Sequence, residues 1–174
     1  MLPQTLSELD EIRDRCLKLV QRKALLSAGA AAVPVPGLDV GTDVAILMQL
    51  LPQINERFGL SAKQIDALSP DTRKILTASS VSLGTEFLGR VLTPQRVITV
   101  LQKLGVKKLA GKSAAKIVPI VGSAVAATVS YVVLRRIGVK HINECYEVVR
   151  RTLIAEGHRD VIEVDAVEVP TRTR

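Results

Sequence analysis

Eighteen consecutive residues, Ile117 to Leu134, carry no charge, and cations stand at both ends: Lys116 before them, Arg135 and Arg136 after. A run of that length reaches the lower edge of what crosses a bilayer as a helix. It equally suits a helix buried on all sides, so the segment must either enter lipid or be wrapped by other helices. Pro119 shortens the usable helix to about fifteen residues, and Thr128 and Ser130 weaken its apolar character. Gly122, Ser123, Ala126 and Ala127 form a small-residue face that lets a second helix approach closely. Insertion and burial both remain open at this point.

The flanking cations belong to a larger pattern. Between Phe87 and Asn143 there is no Asp or Glu, while Arg90, Arg96, Lys103, Lys107, Lys108, Lys112, Lys116, Arg135, Arg136 and Lys140 all fall in that window. The whole chain of 174 residues has a formal charge of +7, so the remainder is slightly acidic. An acid-free basic stretch suits a polyanionic partner, a membrane surface or a nucleic acid; the alternative is a solvated basic face. Only Phe58, Phe87, Tyr131 and Tyr146 are aromatic, too few for the stacking platforms of single-stranded nucleic-acid binders. Nucleic acid therefore ranks below membrane. The 47% apolar content, almost entirely aliphatic, excludes a disordered chain.

Start and stop signals divide the chain into helices. Thr5-Leu-Ser-Glu8 is a capping box, opening a helix that runs to about Ala32 and is purely apolar after Lys23. Pro34-Val-Pro36-Gly37 breaks it. A second helix follows from about Val40 to Phe58, apolar nearly all round and stopped by Gly59. Ser61-Ala-Lys-Gln64 is another capping box. Ser69-Pro70-Asp71 opens a helix expected to reach about Val91, interrupted by Gly84. Thr93-Pro94 restarts the chain, Gly105 stops it, and a Lys-rich connector leads to the uncharged segment. Gly138 is expected to separate that segment from a last amphipathic helix, Lys140 to Glu156. The expectation is an all-α, compact multi-helix bundle over residues 1–158, with Pro/Gly-broken apolar hairpins. Residues 159–174 read as a short flexible tail, disordered or loosely docked, whose alternating Val161–Val169 could at most add one short strand.

No constellation carries recognisable chemistry. Gly105-Val-Lys-Lys-Leu-Ala-Gly111-Lys112-Ser113 looks like a phosphate-binding loop, but five residues separate its glycines instead of four and no strand precedes it. His141 and Cys145 share a helical face, yet zinc wants three or four ligands. Asp39 and Asp43 stand where acids favour a helix N-terminus, and Glu86 with Arg90 makes an ordinary pair one turn apart. A disulfide between Cys16 and Cys145 is open to the sequence, while two reduced buried thiols fit it better. Catalytic residues, cofactor and metal are all expected to be none. Met1-Leu-Pro-Gln runs straight into Glu8, Asp10 and Glu11 without an apolar core behind a basic region, so no secretory signal is read and the cytoplasm is the expected location.

The stretch Ala31-Ala-Val-Pro-Val-Pro-Gly-Leu-Asp-Val-Gly-Thr-Asp-Val-Ala-Ile-Leu47, with Phe58-Gly-Leu60, resembles the helical domain of the immunity-related (interferon-inducible) GTPases. Ile117-Val-Pro-Ile-Val-Gly-Ser-Ala124 is similar to a Pro-Val-Val-Gly-Ser segment of that domain. Both also resemble a bacterial, membrane-associated helical domain of unknown function that accompanies some small GTPases, and comparable Pro-Gly breaks recur in EcsC-like proteins. The likeness spans roughly residues 20–150 and lacks the nucleotide-binding domain, so GTPase activity does not carry over. It implies a helical bundle that sits at membranes and mediates assembly, with Pro34, Pro36, Gly37, Pro119 and Gly122 as structural breaks at packing corners. The functional expectation is a non-enzymatic helical module associating reversibly with anionic membranes, peripheral to the cytoplasmic membrane or partly inserted, through Lys103, Lys107, Lys108, Lys112, Lys116, Arg135 and Arg136. A separate GTPase partner and homo-oligomerisation are further expectations. The alternative is a soluble helical interaction or oligomerisation protein with no membrane contact.

Overall fold

Helix α1 (Leu6–Ala31) starts at the expected capping residues: Thr5 Oγ1 accepts from the Glu8 N–H at 3.2 Å. Glu8 reaches back to the Gln4 N–H at 2.9 Å, one residue further than in the ordinary capping box. The computed structural model describes residues 1–31, 38–84 and 119–167 together with Val97 and Thr99, and side chains over 1–30, 42–84, 97, 99 and 127–157. Among the described residues the secondary structure is helical, with no strand.

Helix α2 (Leu38–Arg57) follows, so the ends of α1 and α2 bracket Pro34, Pro36 and Gly37, which themselves lie outside the described residues. Its C-terminus closes as a Schellman motif, the Leu60 N–H donating to Asn55 O at 2.7 Å while Gly59 turns left-handed at φ 74°. A side chain at Gly59 would also strike the Met1 carbonyl, 2.6 Å from the Cβ position. Ser61 then caps α3 (Ala62–Asp66) in the expected box with Gln64. Ser69 caps α4 (Pro70–Ser82), with Pro70 in its first turn. Helix α4 stops at Ser82, with Leu83 as its C-cap and Gly84 left-handed, at the interruption the sequence places there; residues 85–91, over which the helix is expected to continue, lie outside the described residues.

The largest departure is α5 (Pro119–Val167), a single helix of 49 residues. Pro119 is its first residue, where a missing N–H is harmless. Gly122, expected as a break, lies inside it, and so does Gly138. Gly138 is buried against α1: a Cβ there would lie 2.7 and 2.8 Å from the two γ-carbons of Val20. The glycine serves close helix contact, not a turn. The backbone of α5 also stays helical to Val167, so the short strand that Val161–Val169 could have added is a helix as far as Val167. Residues 168–174 lie outside the described set.

Cross-helix contacts fix the topology. Ser27 meets Ser130, Val20 meets Gly138, and Asp10 and Arg13 meet Tyr146, so α1 and α5 are antiparallel. Asp43 meets Ser130 and Asn55 meets His141, so α2 runs parallel to α5. Helix α4 packs lower on α5, through Thr72 with Glu156 and Ser82 with Arg151. The core is aliphatic: Leu9, Val20, Leu47, Leu50, Ile54, Leu134, Ile142 and Val148 are fully buried, around Phe58. The periodicity of these positions makes one inward stripe on each helix. That is the all-α bundle the sequence predicts.

Candidate functional site

The bundle is segregated along its axis. At one end lie Ala24–Ala31 of α1, Leu38–Met48 of α2 and Pro119–Leu134 of α5, whose sequences contain two charges in all, Asp39 and Asp43. The side chain of Asp39 lies outside the described residues. Of the segment 117–134, Ser130 and Leu134 are buried, Tyr131 and Val133 are half-buried, and Thr128 and Val132 are exposed. That is a helix packed against its neighbours over its described turns. No helix among the described residues is long and apolar enough to cross a membrane.

Just below this end sits a collar of cations. Since Val20 faces Gly138 and Ser27 faces Ser130, Arg22 and Lys23 of α1 stand level with Arg135 and Arg136 of α5. Arg22, Arg135 and Arg136 are exposed and Lys23 is half-buried. None of the four is ion-paired with an acid among the described residues; the pairs there are Lys74–Asp71, Lys140–Glu144, His141–Glu144 and Arg150–Glu147. Arg135 and Arg136, with Tyr131 and Lys140, line an open groove of about 530 Å³ on α5. On the apolar side of the collar, Leu25, Leu26 and Val132 are exposed, at 57%, 63% and 53%. Arg22 and Lys23 were not singled out by sequence, because only the antiparallel pairing with α5 brings them level with Arg135 and Arg136. The other expected anion-binding residues, Lys103, Lys107, Lys108, Lys112 and Lys116, lie outside the described residues, as do the Gly105–Ser113 loop and the Glu86–Arg90 pair.

Inside the apolar end three helices share one polar clasp. Ser27 donates to Asp43 Oδ1 and Ser130 donates to Asp43 Oδ2 at 2.5 Å, the two hydroxyls being 3.2 Å apart. All three residues are buried. Asp43 is therefore no helix cap, as its position near the start of α2 suggests; it is the sixth residue of the helix and points into the bundle. Two hydroxyl donors satisfy a buried carboxylate that would otherwise be strongly unfavourable. The signals were serines placed in otherwise apolar stretches, legible only once the three helices are assembled.

A second buried cluster joins α2 to α5. The His141 ring places Nε2 2.8 Å from Asn55 Oδ1, and the Cys145 thiol lies 3.5 Å from the same oxygen and 3.6 Å from Nε2. Cysteine, histidine and asparagine together suggest a nucleophile with its base, but the geometry is wrong for one. An amide oxygen only accepts, so Nε2 carries the proton and is not available to take the thiol's. Burial pushes the Cys145 thiol well above its ordinary range, with Glu144 and Cys16 adding repulsion, and burial raises Cys16 from 9.0 to about 11 despite Arg57 nearby. Both cysteines are free and buried, the reduced pair that the sequence favoured. No group of three metal-ligating side chains occurs among the described residues.

These thiols set two expectations. A disulfide-exchange reagent at pH 8 should leave the native protein unlabelled over minutes and label both cysteines at once in denaturant; rapid native labelling would contradict their burial. Because the unfolded Cys16 thiol ionises before the folded one, the unfolded state binds fewer protons above about pH 9, and stability should fall from there to about pH 11. Alkaline thermal melts of wild type against Cys16→Ala measure that slope.

No family model, no curated protein and no solved structure matches this chain.

Proposed function

We propose that the protein is a non-enzymatic helical module that associates peripherally and reversibly with anionic membrane surfaces. The observation that carries this reading is the juxtaposition of exposed Leu25, Leu26 and Val132 with a cation collar that pairs with no acid among the described residues. Cations near an anionic surface contribute about 1 kcal/mol each, and a few buried apolar side chains add to that. Neither alone holds a protein on lipid. The motif likeness to membrane-associated, GTPase-linked helical domains agrees with this reading and adds a separately encoded GTPase as the proposed protein partner.

Vesicle co-sedimentation tests it. The protein should pellet with vesicles containing phosphatidylglycerol at low salt and be released at about 1 M salt, where the screening length shrinks to about 3 Å. Neutralising Arg22, Lys23, Arg135 and Arg136 together to Gln should weaken binding by up to about 4 kcal/mol. Neutralising Lys103, Lys107, Lys108 and Lys112 should weaken it further. Equal recovery with purely zwitterionic vesicles at both salts would overturn the reading. The exposed leucines favour a second reading as well, a soluble interaction or oligomerisation protein whose apolar end is covered by a protein partner. Light scattering without detergent that gives a clean dimer indifferent to vesicles would select it.

A further inference from the structure

We infer that the groove along the outer face of α5, from Tyr131 to Asn143, is a site for the phosphomonoester headgroup of a lipid. This rests on the membrane reading above and names the anion that the membrane must present.

The helical period lays the site out. Each residue of an α-helix turns about 100°, so Val132, Val139 and Asn143 fall on one narrow strip, with Arg135 on one side of it and Arg136 on the other. Leu134, Ile137 and His141, on the opposite side of the helix, are buried, so the strip faces away from the core. Val132, Arg135, Arg136 and Asn143 are exposed, and Tyr131 and Val139 are half-buried. Together with Lys140 they line an open groove of about 530 Å³, within the roughly 300–1,000 Å³ of small-molecule sites.

Every charge among the described lining residues is positive. Arg135 and Arg136 pair with no acid among the described residues. Glu144, one turn beyond Lys140, is engaged by Lys140 at 3.4 Å and lies 3.7 Å from His141 Nδ1. Two guanidinium forks astride one strip suit an anion with several terminal oxygens and more than one charge. A phosphomonoester offers three such oxygens and about −1.5 to −2 of charge at pH 7. A phosphodiester headgroup has a single charge and fewer free oxygens. Tyr131 and Asn143 add a hydroxyl and an amide donor to the groove wall. The aliphatic strip decides the source of the phosphate: Val132, 53% exposed, and Val139 give the glycerol and first methylenes of a lipid an apolar floor that a bare phosphate would leave in water.

Two vesicle compositions test the assignment on the full-length protein. One contains phosphatidic acid, a phosphomonoester, and the other phosphatidylglycerol, a phosphodiester, each in zwitterionic lipid and matched in surface potential. Half-maximal co-sedimentation should need about tenfold less of the phosphatidic acid vesicles, because the additional charge meets two guanidinia directly. Arg135→Gln with Arg136→Gln should erase that preference while residual binding to both vesicles persists. Arg22→Gln with Lys23→Gln, at positions on α1 outside the described groove lining, should weaken binding to both and keep the ratio. Glycerol 3-phosphate without vesicles should give no binding heat in calorimetry. A wild-type ratio near one, or a ratio that survives R135Q/R136Q, overturns the site and leaves membrane association standing. Binding of glycerol 3-phosphate as strong as that of the vesicles overturns the lipid source and gives the groove to a soluble phosphate ester. Failure of the wild type to pellet with either anionic vesicle overturns both the site and the membrane reading.

Discussion

Gly138→Leu will destabilise the bundle by about 3 kcal/mol or more, because even the first carbon of a side chain has no room there. The Cβ position lies 2.7 and 2.8 Å from the γ-carbons of Val20, which is fully buried and β-branched. A branched side chain has few rotamers to retreat into, so α1 and α5 must move apart, and overpacking of this kind typically costs 1–3 kcal/mol for a few added atoms. Gly138→Ala should lose about 1–2 kcal/mol, since the better helix propensity of alanine offsets about 1 kcal/mol of the clash. Val20→Ala in the Gly138→Ala background should recover stability relative to the sum of the two single changes. A denaturant-melt double-mutant cycle measures that coupling, and strict additivity would show that the two positions do not touch.

Asp43→Ala should cost about 2–4 kcal/mol, the loss of two charge-assisted hydrogen bonds plus a small cavity, moderated because Ser27 and Ser130 remain 3.2 Å from each other. Asp43→Asn keeps the shape and can accept from one hydroxyl while donating to the other, so it should lose only about 1 kcal/mol. Equal destabilisation by Ala and Asn would mean that the charge, rather than the three-helix geometry, holds the clasp together. The clasp also fixes register: one carboxylate must satisfy serines on two different helices, so a slip of either helix leaves a polar group unpaired in an apolar surrounding.

Much of the fold was legible because it is written in local chemistry. Ser61, Ser69, Pro70 and Gly59 mark helix ends by where they leave or satisfy backbone donors and acceptors, and each stands where the sequence places it. Gly138 misled because glycine has two uses that look alike in sequence. Gly84 has a left-handed φ and ends a helix; Gly138 sits inside a helix and admits Val20. Only the neighbouring helix distinguishes them. The collar was half legible: Arg135 and Arg136 flank an uncharged run, whereas Arg22 and Lys23 join them only through antiparallel packing. Asp43 was misassigned for the same reason, since its partners are 16 and 87 residues away along the chain.

The unbroken length of α5 makes it a lever. At 49 residues it is about 73 Å long, seated in the apolar end at its start and gripping α4 through Glu156 and Arg151 towards its other end. A tilt of about 5° displaces Glu156, about 55 Å from Pro119, by about 5 Å, close to one helical turn. Two separate helices hinged at Gly138 would absorb such a movement at the joint; one continuous rod delivers it to α4.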